Sequence, residues 1–229
     1  MRPCLIYSCF AALFLMTGCS DNYAAKYRAD ERIPPSQLVS EARKARKLSK
    51  TQLIDSVRLH KDILPSRHGL RKKSRNMDAT YITLHSTQNW SRTSHAVNHM
   101  TALTNYKTRG NSWHFTVDQY RAIQHLKLDE TGAHAGNYKG NAKSIGIEMC
   151  ENRGSNLHAT VERAARLTAW LMIKEGIPIE RVVPHYHWDR GGRDAHKNCP
   201  HFLMESDGKP GAKWYAFKKK VYYYYRNAK

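Results

Sequence analysis

Three side chains in this sequence have the types and spacing of a catalytic metal site. His85 ends the alternating stretch Tyr81-Ile82-Thr83-Leu84, and His185 follows the short run Arg181-Val182-Val183-Pro184. Cys199 comes 14 residues after His185, with Lys197 two before it. Two neutral imidazoles and a thiolate fill three tetrahedral positions of one zinc ion and leave the fourth open, as in catalytic rather than closed structural sites. The chain has 13 histidines, and an isolated histidine is usually a core or surface residue, so position rather than number singles these two out. Glu148 interrupts the apolar run Ile145–Cys150, where an acid is costly to bury without a partner or a task. Zinc held this way keeps a net positive charge and lowers the pKa of a water toward ~7. Glu148 is then placed to take that water's proton and pass it to a departing amine. Lys197 is placed to face the oxyanion, although spacing alone would equally make it one more surface lysine.

These residues need a scaffold. Tyr81–Leu84 reads as a strand delivering His85 to a sheet edge, Trp113–Asp118 and Ala122–Leu126, after the turn at Arg109-Gly110-Asn111, as a hairpin, and Ile145–Cys150 as a further strand. Ser94 can cap a helix to about Leu103, with Val97, Met100 and Leu103 as its buried stripe. A longer helix over 159–175 carries Val161, Ala164, Ala165, Thr168, Leu171 and Met172 on one face and stops at Gly176 and Pro178. Trp214, Phe217, Val221 and Tyr224 recur at helical spacing opposite Lys218, Lys219 and Lys220, which reads as a closing helix in preference to a membrane-surface one. The order predicts a single α/β domain, a central mixed sheet flanked by helices, with the zinc cleft at the sheet edge.

The rest of the chain is organised around that domain. Residues 1–18 read as a lipoprotein signal peptide, 19–78 as a basic tether with an accessory helical segment, 79–205 as the catalytic domain and 206–229 as a basic aromatic C-terminal helix. Leu15-Met16-Thr17-Gly18-Cys19 resembles a bacterial lipobox, in which Cys19 is acylated after cleavage, and Ser20 favours the outer membrane facing the periplasm. Within the tether, Ser36–Leu48 and Thr51–Leu64 have helix-like apolar spacing, and Arg67–Arg75 is the densest basic run, either a solvated linker or a contact with anionic polymer. The 38 Lys and Arg against 19 Asp and Glu give a charge of +19, which favours an anionic partner: nucleic acid, acidic lipid or a cell-wall polymer. An export signal and the lack of a nucleic-acid reading motif argue against the first. Of five cysteines, only Cys150 and Cys199 lie beyond the signal; they could pair, but Lys197-Asn198-Cys199-Pro200 reads better as a metal thiolate, leaving Cys150 a buried thiol.

Six blocks then occur together and in order: Tyr81–His85 (YITLH), Ser112–Asp118 (SWHFTVD), Gly132–Gly136 (GAHAG), Asn141–Glu148 (NAKSIGIE), Val182–His185 (VVPH) and Lys197–Pro200 (KNCP). They resemble the zinc-dependent N-acetylmuramoyl-L-alanine amidases of the amidase-2 family, which includes phage amidase lysozymes and peptidoglycan-recognition proteins. The resemblance implies His85, His185 and Cys199 as ligands of one Zn2+, Glu148 and Lys197 as catalytic residues, and peptidoglycan or a muropeptide as substrate. It also implies hydrolysis of the bond between N-acetylmuramic acid and L-alanine.

The sequence departs from the family in two places. Relatives run H-x-x-W-S-G-K-x-C-P, whereas HYHWDRGGRDAHKNCP keeps Trp188 but lengthens the loop Asp189–His196, leaving His187 and, more distantly, His196 as alternatives to His185. Trp113 stands where several relatives have a tyrosine that helps stabilise the transition state. Trp113, His114 and His134 are then expected at the substrate cleft, with a hydrogen-bonded structural role as the alternative for the two histidines. The alternative for the whole chain is a peptidoglycan-binding module of the same fold that does not cut, which loss of a ligand would mark. The long loop and the extension 20–78 are the places where specificity would reside.

Overall fold

The structure is a computed structural model that describes residues 47–72, 75–192 and 195–228. The signal, Cys19 and the tether up to residue 46 lie outside the described residues. In chain order the elements are α1 (Lys50–Val57), β1 (Leu59–Lys61), α2 (Gly69–Lys72), β2 (Tyr81–Ser86), α3 (Ala96–Thr104), β3 (Phe115–Val117), β4 (Ala122–Gln124), α4 (Tyr138–Lys143), β5 (Ser144–Met149), α5 (Leu157–Glu175), β6 (Val182–Pro184) and α6 (Ala212–Ala228). Among the described residues the strands form one six-stranded mixed sheet in the order β1-β4-β3-β5-β2-β6. The β3–β4 hairpin is antiparallel and the other pairings are parallel.

Alternation along the strands sorts the sheet into two unlike faces. Ile82 and Leu84, Phe115 and Val117, and Ile145, Ile147 and Met149 join the main core under α1, α5 and α6. Thr83 and His85, His114 and Thr116, and Ser144, Gly146 and Glu148 fall on the alternate positions, so the opposite face is polar. That face is covered by the turn after β6 and by α4, through a buried chain in which Trp188 Nε1 donates to Thr83 Oγ1 (2.9 Å), Thr83 to Ser144 Oγ (2.8 Å) and Ser144 to the Gly140 carbonyl (2.7 Å).

Parallel pairing brings the C-terminal ends of β2, β5 and β6 to one edge, the usual place for a site in such sheets. His85 lies opposite Glu148 in the register, and Leu84 opposite Pro184, the residue before His185. The long helix α5 buries the six positions expected of it and ends at Gly176 in the left-handed region, φ 67°.

Local packing corrects several expectations. The helical pattern over Thr51–Leu64 ends at Val57, because Arg58 turns into the left-handed region (φ 54°) and Leu59–Lys61 pair with β4. Tertiary pairing outweighs the apolar spacing there, and the stretch expected as an accessory segment contributes an edge strand. In the basic run, Leu70 is buried, and the Arg71 guanidinium grips Glu130 (2.8 Å from Nη2) and the Leu64 carbonyl (2.7 Å), so this part is docked on the domain. Ser94 does not cap α3; its hydroxyl meets His99 Nε2 (2.9 Å), while Asp118 accepts the Ala96 N–H (3.0 Å). Val97 is 41% exposed, and Ala96 joins Met100 and Leu103 on the buried side. In α6, Trp214, Phe217, Val221 and Tyr224 pack inward as expected, but Lys220 is fully buried beside them and pairs with Glu162.

Candidate metal centre

His85, His185 and Cys199 converge, each buried, with their ligand atoms all within 4.8 Å of one another. His85 arrives from the end of β2, His185 from the turn that β6 feeds, and Cys199 from the returning loop. His85 Nδ1 faces His185 Nδ1 at 2.9 Å and lies 4.0 Å from Cys199 Sγ.

The protons on these rings follow from their outer partners, since a carbonyl can only accept. His185 Nε2 is 3.0 Å from the Ala135 carbonyl and so carries its proton there. His134 Nε2 likewise donates to the Ser144 carbonyl (3.1 Å), which leaves His134 Nδ1 a bare acceptor, and His85 Nε2, 3.0 Å away, must donate to it. Both Nδ1 atoms in the cleft therefore present lone pairs to each other. Burial keeps the rings neutral: it pushes His185 down to about 4 and His134 to about 3, and it lowers His85, with His185 and His134 adding to the effect.

Two opposed lone pairs beside a thiol repel unless a cation sits among them. Burial first, and then the charge of Glu148, push the Cys199 thiol up to about 12, so its thiolate also needs a cation. The Ser86 backbone N–H points at the sulfur (3.3 Å). Two neutral imidazoles and one potential thiolate, with outer hydrogen bonds that fix the rings, form a donor set that fits zinc.

Glu148 stands over this cluster, its Oε1 4.0 Å from His85 Nδ1, while its Oε2 is buried with no hydrogen-bond partner among the described residues. Burial pushes the carboxyl up to about 7, with the Lys197 ammonium acting in the opposite direction. The same ammonium depresses His85 and His185 and pulls the Cys199 thiol down, which places Lys197 at the cleft. A neutral-range carboxyl, a lysine and a metal-ready triad form a hydrolytic constellation.

The remaining candidates sit elsewhere. His187 is exposed and lies against Tyr81, and His196 stacks on Tyr186 and bonds its carbonyl (2.8 Å), so neither joins the cluster. Trp113 is a core residue packed with Met100, Leu103 and Leu126, its indole N–H donating to Thr116 (2.7 Å). His114 has both nitrogens taken by backbone, the Glu130 carbonyl (2.7 Å) and the Gly146 N–H (3.0 Å). Trp113, His114 and His134, expected at the cleft, pack behind the three converging side chains, and the two histidines have the hydrogen-bonded surroundings named as their alternative. Cys150 and Cys199 are both free thiols, and burial raises Cys150.

Several residues that shape the centre were not singled out from sequence. Ser86 Oγ contacts His201 Nδ1 (3.1 Å), and His201 Nε2 faces the buried Glu151 (3.1 Å), bracing the strand end beside Cys199. Asn141 Oδ1 accepts the N–H groups of His134 (3.0 Å) and Ala135 (2.7 Å) and holds the loop whose carbonyl fixes His185. Asn141 did stand inside a quoted block, but an amide that bonds backbone across a turn has no spacing signature. The long loop leans on the same region: Arg190 packs over Gly136 (φ 61°), where a Cβ would come within 2.7 Å of it.

Comparison with known proteins agrees with this geometry. N-acetylmuramoyl-L-alanine amidase CwlH of Bacillus subtilis is 40% identical over 152 residues, covering 65% of this chain and 58% of CwlH. XlyA of the same organism, also named as an N-acetylmuramoyl-L-alanine amidase, is 39% identical over 144 residues, covering 62% of this chain and 44% of XlyA. The chain thus spans about half the length of the curated relatives it matches. Among solved structures, the XlyA catalytic domain aligns with a TM-score of 0.62 at 35% identity, over 72% of this chain and 99% of that one. PlyL aligns at 0.57 and 29%, over 72% and 96%. The sequence pattern described as N-acetylmuramoyl-L-alanine amidase matches residues 75–202, the stretch that holds every residue of the cluster, and so the chain belongs to that family.

Proposed function

We propose that this protein is a zinc-dependent amidase that cleaves the bond between the lactyl group of N-acetylmuramic acid and the L-alanine of the peptidoglycan stem. The observation that carries the reading is the buried, partnerless Glu148 Oε2 beside two imidazoles whose lone pairs face each other. A wall-binding module would not need an acid held near neutrality at such a cluster. The activity named for CwlH and XlyA supports the same substrate class.

His85, His185 and Cys199 would hold one Zn2+, which supplies Lewis-acid polarisation of the scissile carbonyl and acidifies water. Glu148, as carboxylate, accepts the proton of the attacking water and hands it to the alanine nitrogen as the C–N bond breaks. Lys197 stabilises the negative charge growing on the carbonyl oxygen. Burial of the cluster strengthens each of these interactions relative to water.

We also place the protein in a bacterial envelope, tethered through acylated Cys19 at the outer membrane and facing the periplasm, on the strength of the lipobox-like Leu15–Cys19 and Ser20. Turnover, daughter-cell separation and muropeptide recycling are its fields of action, and the +19 charge would concentrate it on an anionic wall. Radiolabelled palmitate incorporation that disappears in Cys19→Ser tests the anchor. Digestion of purified murein with and without chelator, following new alanine N-termini by mass spectrometry, tests the activity. Chelator-sensitive release is expected, and binding without release would overturn the enzyme.

A further inference from the structure

We propose that His134 is a positioning residue of the metal centre, which sets the tautomer of His85 so that Nδ1 enters the cleft as a bare lone pair. The proposal rests on the metal-centre reading and concerns a side chain that touches neither metal nor substrate. A neutral imidazole carries one proton, on either nitrogen. With no acceptor behind it, His85 could carry that proton on Nδ1, and an N–H would then point where a ligand lone pair is needed. The acceptor 3.0 Å behind Nε2 is His134 Nδ1, and it can only accept, because the His134 proton is committed to the Ser144 carbonyl at 3.1 Å.

His134 is itself held on every side. Asn141 ties its backbone N–H (3.0 Å), and the His85 ring meets it edge-on at 5.0 Å between centroids. The slot it fills exists because two neighbours lack side chains. A Cβ on Gly146 of β5 would come within 2.8 Å of the His134 ring, and one on Gly132 within 3.1 Å. His114 closes the far wall, with both of its nitrogens bound to backbone, so it has no donor left to offer His134 Nδ1. Gly146, between Ile145 and Ile147 on the polar face, therefore serves the relay: it is the hollow in the strand that admits the ring.

The decisive experiment measures zinc affinity of the full chain by competition with a chromophoric chelator. His134→Leu keeps bulk but removes the acceptor, and is expected to bind roughly 10- to 100-fold more weakly. His134→Asn puts an oxygen near the position of Nδ1 and should recover most of that loss. Gly146→Ala should weaken zinc binding in the wild type yet add little in a His134→Ala background, where the ring it would strike is gone. Nitrogen-15 spectra of the zinc-loaded protein should show His85 bound through Nδ1 with a protected Nε2–H, and that proton should lose protection in His134→Leu. Equal affinity of folded His134→Leu and wild type would overturn the proposal alone, and a wild type that takes up no zinc would overturn the metal centre with it. If His134→Leu fails to fold, the Asn variant and the Gly146 cycle decide the matter: additive losses, or no rescue by Asn, would count against the relay.

Discussion

Glu148 and Glu162 are both glutamates sunk into this domain, with side chains 17% and 8% exposed, yet their surroundings treat the same carboxyl group in opposite ways. Glu162, on α5, receives Lys220 and Tyr224 from α6 and Arg166 from its own helix. Burial would raise its pKa, but the bond and charge of Lys220, with Tyr224 and Arg166, hold it below the ordinary carboxylate range. Glu148 is raised to about 7 by burial, with the Lys197 charge opposing, and one of its oxygens has no partner among the described residues. The first carboxylate is compensated and joins two helices. The second is left uncompensated beside the cluster of His85, His185 and Cys199, and an uncompensated buried group in a cleft points to a site. Depth alone does not separate structural from functional polar residues here; completeness of partnership does.

The largest effect should come from the uncompensated acid. Glu148→Gln keeps shape and removes the base, so release of alanine N-termini from murein should fall by roughly 10²- to 10⁴-fold, with zinc stoichiometry unchanged. A variant that kept a tenth of the wild-type rate would show that another group moves the proton.

The compensated acid should respond in stability instead. Lys220→Met leaves Glu162 without its buried ammonium, and stripping one partner from a buried pair costs about 3 kcal/mol. Urea unfolding should show that loss, while hydrolysis per folded molecule stays unchanged. A fall in rate at full folding would join α6 to the site and erase the contrast.

How far each region was legible in the sequence follows the same division. The convergence of His85, His185 and Cys199 was legible because a strand end, a Pro-His turn and a Lys-Asn-Cys-Pro block each have local patterns. The two-faced sheet was legible in the alternation of Ile82 and Leu84 with Thr83 and His85. Lys220 was not: helical spacing put it with its neighbours Lys218 and Lys219, and the position of Glu162, 58 residues away, makes its burial tolerable. His134 was legible as a member of the site but not as to its role, because a histidine that faces a substrate and one that faces another histidine look alike along a chain. The strand at Leu59–Lys61 was hidden for a similar reason, since its partner β4 is far away in sequence and its apolar spacing continued that of α1.

The pH dependence of stability should separate the two acids again. In the fold Glu148 titrates near 7 against an ordinary 4.5, so between those values the folded state holds a proton that the unfolded state has released. Its stabilising effect is full below 4.5 and is lost as pH rises through 7. Chelated Glu148→Gln should therefore be more stable than chelated wild type at pH 8, by about 3 kcal/mol, and the advantage should vanish near pH 4. The buried histidines run the other way. His114 and His185, pushed to about 4, and His125 and His134, pushed to about 3, contribute stability that is full above 6.5 and lost as pH falls toward those values. Both variants share that acid-side loss, so their difference isolates Glu148, and a constant difference across the range would remove it as an uncompensated group.

The smallest effect is the most informative about cause, because it asks whether location on the polar face or lack of compensation marks a functional residue. Thr83 is fully buried on that face, two residues from His85, yet its hydroxyl is complete: it accepts from Trp188 (2.9 Å) and donates to Ser144 (2.8 Å). By location it should behave like Glu148, and by partnership like Glu162. Thr83→Val preserves the branched shape and strands one indole N–H, a loss of about 1 kcal/mol, or about 3 °C of melting temperature for a domain of this size. Zinc affinity and hydrolysis per folded molecule should stay within about twofold, since about 0.4 kcal/mol or less would then reach the site. A collapse of activity comparable with that of Glu148→Gln would mean that the polar face acts as one rigid unit, in which the Trp188–Thr83–Ser144 chain sets the position of the Ser144 carbonyl and, through it, of His134 and His85.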